Sequence, residues 1–194
     1  LQLQFELRQR AEDRTGQLFG RDRDLAADFI RSRVGVIYKP APWLKIAGLA
    51  QDTRAPLYGL PSPGNVRDPL DLQEGYIEIF SPSKRGLGLN VGRQMINFGD
   101  TRLIGSPQWA YTARTWDTLR LYHVSSKARL EGVFLSTIVP RADGFNKPVL
   151  GDRIWGMYSS FGNVSGAKVA KGASIWASAV VDAYVLRHDQ NRPG

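Results

Sequence analysis

Apolar and polar residues alternate with a period of two along most of this chain, the pattern of strands with one apolar and one polar face. Leu1, Leu3, Phe5 and Leu7 alternate with Gln2, Gln4, Glu6 and Arg8, which predicts a first strand over 1–12. A second is expected over 28–38, with Arg31, Arg33 and Gly35 opposed to Val34, Val36 and Tyr38. A third follows over 43–54, with Lys45, Leu49 and Gln51 opposed to Leu44, Ile46, Gly48 and Ala50. Leu49 stands there where a polar residue would complete the polar face. Over 71–80, Glu74, Tyr76 and Glu78 oppose Gly75, Ile77 and Ile79. Leu87, Leu89 and Val91 begin the next strand, and Arg93 falls in their phase, which predicts a bulge near Gly92 that re-aims it. Over 116–124 Thr118, Arg120 and Tyr122 oppose Leu119 and Leu121, and over 128–139 Arg129 and Glu131 oppose Leu130, Gly132 and Phe134. Strands over 153–161 and 174–187 complete the set, the last with Asp182 and Tyr184 opposed to Val181 and Ala183.

The connections alternate too. Short turns fall at 39–42, 81–85, 125–127 and 162–172, and long polar or Gly/Pro-rich segments at 13–27, 55–70, 98–115 and 140–152. About nine strands of roughly 9 to 14 residues result, near the ~9–11 that cross a bilayer at a tilt. In bacterial outer-membrane barrels the short turns are periplasmic and the long loops extracellular. Alternation alone fits the solvent face of an ordinary antiparallel sheet equally well. Tyr38, Trp43 and Phe80 beside the short turns fit an interfacial aromatic girdle or plain hairpin ends.

Composition changes this picture in few places. No run of ~18 apolar residues exists, so a transmembrane helix is excluded, whereas a barrel keeps an ordinary hydropathy average. There are no cysteines, which removes disulfides and thiolate metal sites. A net charge of +8 favours anionic partners: nucleic acid, acidic polysaccharide or lipid phosphates. The arginines are spread through the strands among acids, which suits a channel lining better than a phosphate track. His123 and His188 lack a second histidine at metal-ligand spacing, and no nucleophile elbow, P-loop or dinucleotide fingerprint is present. Glu74 and Glu78 share a strand face, but such a pair is commoner as wall carboxylates than as glycosidase catalysts. The reading is therefore of a non-enzyme without cofactor or metal.

The longest ordered pattern is Gly92-Arg93-Gln94, then Asn97-Phe98-Gly99-Asp100-Thr101-Arg102-Leu103-Ile104-Gly105, then Thr112-Ala113-Arg114-Thr115-Trp116-Asp117. It resembles the GRQ…GDxRLIG…ARTxD pattern of the alginate-export family of outer-membrane β-barrels. VGVIYKPAPWLKIAGLAQDTR and DLQEGYIEIF also resemble that family's strand-turn-strand stretches. The resemblance implies an all-β, antiparallel up-and-down transmembrane barrel, with residues 1–194 as one partial barrel domain. Single-chain bacterial barrels carry an even strand number, so about nine strands predict an incomplete barrel; the resemblance, to a family of closed barrels of about twice this count, implies the N-terminal portion of an about 18-stranded barrel. The start at Leu1 without Met fits a processed, trimmed or fragmentary sequence.

The implied function is passive export of an alginate-like anionic polysaccharide, with Arg93, Gln94, Asp100, Arg102, Arg114 and Asp117 matching the motif by position. In a barrel the polar faces turn inwards, adding Arg31, Arg33, Glu74, Glu78, Arg120, Arg129, Glu131 and Asp182 to the lumen. Arg93, Arg102, Arg114 and Arg120 are the expected lumen or constriction residues. Guanidinium matches carboxylate in a planar fork, and rings of Arg and Lys favour anions, while Glu74, Glu78, Asp117 and Asp182 would hold the arginines. Expected partners are outer-membrane lipid, an anionic polysaccharide or small anionic solute, and periplasmic export components, with no nucleic acid. Two other readings stay open: a general anion-selective porin, and a soluble β-sandwich or β-barrel module that binds acidic glycans.

Overall fold

The alternating stretches pair in simple order. The computed structural model describes residues 1–14, 25–56, 58, 64–83, 85–162 and 179–190. They form β1 (Gln2–Arg14), β2 (Leu25–Ala41), β3 (Leu44–Arg54), β4 (Asp68–Phe80), β5 (Gly86–Gln94), β6 (Trp116–Val124), β7 (Ala128–Val139), β8 (Lys147–Gly162) and β9 (Val180–Gln190). Each strand pairs antiparallel with the next, in one nine-stranded sheet. Among the described residues β1 and β9 are its edges.

The register is staggered. The row of cross-strand partners Tyr38, Ile46, Ile77, Val91, Leu119, Phe134 and Trp155 begins beside the β2–β3 turn and ends in the middle of β8. Such drift is what tilted strands require. That row and its neighbours form an exposed apolar face on which Leu3, Phe5, Val34, Ile77, Leu119, Leu121, Trp155 and Met157 all lie open. On β4 this face runs from Leu70 to Ile79, at most ~30 Å of strand, or ~23 Å at about 40° of tilt. An outer-membrane barrel presents an apolar band of about that height. No second sheet covers this face among the described residues.

The opposite face is polar and carries large side chains seated over glycines of the adjacent strand. Leu49 pairs with Gly35, where a Cβ would come within 2.7 Å of its Cδ1. The apolar exception on the polar face therefore fills the space that Gly35 leaves. Tyr122 pairs with Gly88 in the same way, and a Cβ there would sit 2.2 Å from the ring. Gly88→Val should therefore eject Tyr122 and destabilise the fold by about 1–3 kcal/mol, the usual cost of overpacking. Unfolding in urea, followed by tryptophan fluorescence, would measure it, and an unchanged midpoint would contradict the seating.

Several expectations are corrected. The register passes through Gly92 without a shift, so there is no bulge there; instead Gly92 adopts a φ of 125°, and a Cβ would lie 2.3 Å from the Gly75 carbonyl oxygen. Register shifts occur at Tyr38/Ala41, Leu49/Ala50, Gln51/Thr53 and Ser136/Ile138 instead. Beyond the last of these, Ile138 and Val139 pair with Pro148 and Lys147, so β8 starts at Lys147 rather than 153. Phe80 pairs with Gly88 on the polar face, leaving Tyr38 and Trp43 exposed near the short turn. The expected strand start at 174–178 and the turn at 163–172 lie outside the described residues, as does most of the first loop.

Candidate functional site: the charged inner face and its strap

Residues 95–115 leave the sheet between β5 and β6 and fold across the polar face as a strap. Apolar residues direct the fold: Ile96, Phe98 and Ile104 are buried with Trp116, Val133, Leu135 and Tyr158, and each such side chain contributes roughly 1.5–3 kcal/mol. Phe98 stacks on Tyr158 at 4.4 Å between ring centroids. Phe98 and Ile104 bridge to each other, closing a tight turn in which Gly99, Asp100 and Thr101 have φ of 60°, 54° and 64°. Left-handed backbone is costly for a β-branched threonine, and the surrounding bridge holds it there. Ser106 ties the strap internally, donating to the Arg114 carbonyl at 2.7 Å and accepting from the Ile96 amide at 3.1 Å.

At its far side the strap is gripped by arginines of β1 and β2. Arg8 donates to the carbonyls of Gln108 and Trp109 at 2.8 and 2.7 Å. Arg31 donates to those of Gln108 and Ala110 at 3.1 and 2.7 Å, and to Glu6 at 2.8 and 2.5 Å. Arg33 donates to the Gln108 side-chain oxygen at 2.7 Å and to Gln51 at 2.8 Å. Tyr111 stacks on Phe29 at 3.7 Å, and burial raises its phenol pKa above the ordinary value. Gln73 donates to the Ala113 carbonyl at 2.8 Å. The polar network then continues away from the strap, where Gln51 reaches Asp68, and Asn146 donates its side chain to Asp68 and its amide to Asp71.

Towards the short turns the inner face stays open. Arg120 and Arg129 share the buried Glu131 carboxylate, Arg120 at 2.6 Å. Arg129 lies over the Tyr122 ring at 4.5 Å, and Tyr122 donates to Glu78 at 2.8 Å. Lys45 meets the other Glu78 oxygen at 3.3 Å. Lys39, Lys45, Arg85, Arg129, Tyr122 and Glu78 line a concavity of about 280 Å³.

A family model covers the strap together with most of the sheet. The model described as "Alginate export" matches residues 1–165. The chain belongs to the alginate-export family. No curated protein and no solved structure matches it. The alginate-export family is one of outer-membrane β-barrel transport channels, and the all-β antiparallel sheet fits that architecture.

The alginate-export motif lies on the strap and its neck. Arg93 and Asp117 are cross-strand partners at the neck, with Arg93 Nε 2.9 Å from the carboxylate. Arg93 keeps the phase of Val91 and Leu119, and its guanidinium reaches the carbonyls of Leu72 and Asn146 at 3.3 Å each. Gln94 is buried and donates to Asn90 and to Thr118, the latter at 2.6 Å. Glu74 accepts the Met95 amide at 3.0 Å where the strap begins. Asp100, Arg102 and Arg114 are exposed on the strap.

Of the other expected residues, Arg31 and Arg33 share the inner face but are each 5% exposed, behind the strap. Glu78, Arg120, Arg129 and Glu131 come together in the open charged row, and Asp182 lies exposed on β9 opposite Ser160. Sequence reasoning missed Lys39, Arg85, Tyr122, Asp68, Asp71 and Asn146 as site residues. Parity places Tyr122 beside Arg120; Asn146 sits in a loop, where no period points to it.

Proposed function

We propose that this chain forms wall and strap of a bacterial outer-membrane channel for passive, charge-selective export of an anionic, alginate-like polysaccharide. The observation that carries the reading is the open charged row, where Lys39, Lys45, Arg85, Arg120 and Arg129 have, among the described residues, only Glu78 and Glu131 as carboxylate partners. Cations in excess beside a low-dielectric wall concentrate anions and discriminate against cations. A polyuronate offers a carboxylate on every sugar, so it can pass from one guanidinium or ammonium to the next. The paired acids keep each grip weak enough to release. Strap arginines Arg102 and Arg114 extend the path, while Arg31 and Arg33 act indirectly by holding the strap. On this reading the short turns face periplasmic export components and the exposed apolar face meets lipid.

The test is single-channel conductance of the protein in planar bilayers with and without oligouronate. Block by oligouronate is expected, and Lys39→Gln/Arg85→Gln should weaken it roughly fivefold, as two partly screened charges predict. Because the Debye length falls from ~10 Å at 0.1 M to ~3 Å at 1 M salt, block should also fade at high salt. Current indifferent to oligouronate but still anion-selective would replace this reading with a general porin.

A further inference from the structure

We infer that the outer apolar face carries a specific site for a membrane lipid with an anionic phosphate head, formed by β6, β7 and β8. This rests on the outer face meeting lipid and is independent of what the channel passes. Gly132 is the outward residue between Leu130 and Phe134 on β7, and a Cβ there would meet nothing nearer than the Leu121 carbonyl oxygen at 3.9 Å. A glycine in a strand interior weakens the strand and often marks a place where a ligand approaches closely. Here it opens an apolar groove of about 570 Å³ walled by Leu119, Leu121, Phe134, Trp155 and Met157, wide enough for an acyl chain.

The head of the groove is cationic. Arg153, two residues along β8 from Trp155 and thus ~7 Å further towards the long loops, lies over the Phe134 ring at 5.9 Å. It is exposed and has no ion pair among the described residues. Arg187 lies over the Trp155 ring at 5.7 Å, its charge already met by Asp189 at 2.6 Å. Arg153 is therefore the guanidinium left for a phosphate, with the acyl chain running from it past Trp155 into the gap at Gly132. Both the charge and the cavity point to one amphiphile, its head on the long-loop side of the membrane.

Native mass spectrometry of the refolded protein from micelles holding equal dilauroyl phosphatidic acid and dilauroyl phosphatidylcholine tests the site. Phosphatidic acid should be retained over phosphatidylcholine by roughly fivefold, the value of one arginine near a charged lipid surface. Arg153→Gln should bring that ratio close to one, Arg153→Lys should keep most of it, and Gly132→Leu should lower retention of both lipids. Arg153 is exposed, so its variants should fold normally, and an unchanged urea-unfolding midpoint would verify this. Equal retention of the two lipids by the unaltered protein, or a preference that survives Arg153→Gln, would overturn the inference.

Discussion

Replacing Arg31 with methionine is expected to raise the open conductance of the channel severalfold. Arg31 is buried, spans from Glu6 to the carbonyls of Gln108 and Ala110, and is the side chain through which β2 holds the strap backbone. Methionine fills similar volume without a donor. Glu6 would keep only the 3.4 Å contact to Arg33, but its side chain is 37% exposed and rehydrates, so losing this pair costs about 0–1 kcal/mol. The Ala110 carbonyl loses its donor, which adds about 1–3 kcal/mol unless it finds water, while the Gln108 carbonyl keeps Arg8 at 2.8 Å. The molecule can avoid much of that cost by letting the strap loosen around Ala110 and hydrate. The other end of the strap would stay in place, because the Phe98 and Ile104 cluster and the Arg93–Asp117 neck are untouched. A wider, noisier pore is the expected recording, together with faster tryptic cleavage at Arg114. Conductance identical to that of the parent protein would mean that the strap does not limit the pore.

Glu131→Gln should shift the reversal potential towards stronger anion selectivity and tighten oligouronate block by about tenfold. The carboxylate has a side-chain exposure of 3% and is shared by Arg120 and Arg129, so its removal leaves two guanidiniums on one amide oxygen. At an effective dielectric near 20, one uncompensated charge at ~8–10 Å is worth about 2 kcal/mol to a passing anion, before screening reduces it. The same change should lower stability, by about 3 kcal/mol, because a buried pair has lost one partner. These effects are separable, since stability is read from urea unfolding and selectivity from the current of channels that remain inserted. An unchanged reversal potential would show that this pair lies off the ion path.

The contrast between these two arginine sites marks how far the sequence could be read. Alternation assigned the faces of β2, β3, β4, β6 and β7, because a strand's period of two ties every side chain to its neighbours. It identified Arg31 and Arg120 as residues of one face but could not distinguish their roles. What separates them is the course of the strap, and a loop has no period from which its path can be read. Ile96, Phe98 and Ile104 were visible as apolar residues in a polar segment, which is a reason to expect inward folding but not a direction. Arg93 shows the opposite limit. Its phase was legible, but the expected bulge is absent: the register runs through Gly92 without a shift, and Arg93 pairs with Asp117 at the neck of the strap. Asn146 depended on a tertiary contact to β4 that lies 78 residues away in the chain.

Arg8 and Arg31 hold the strap almost wholly by main-chain oxygens. Every amino acid supplies that oxygen, so these two arginines are blind to which residues occupy 109 and 110, and only Gln108 is also held by its side chain, through Arg33 at 2.7 Å. Positions 109 and 110 are therefore a cassette: their side chains can be exchanged while the clamp that suspends them stays intact.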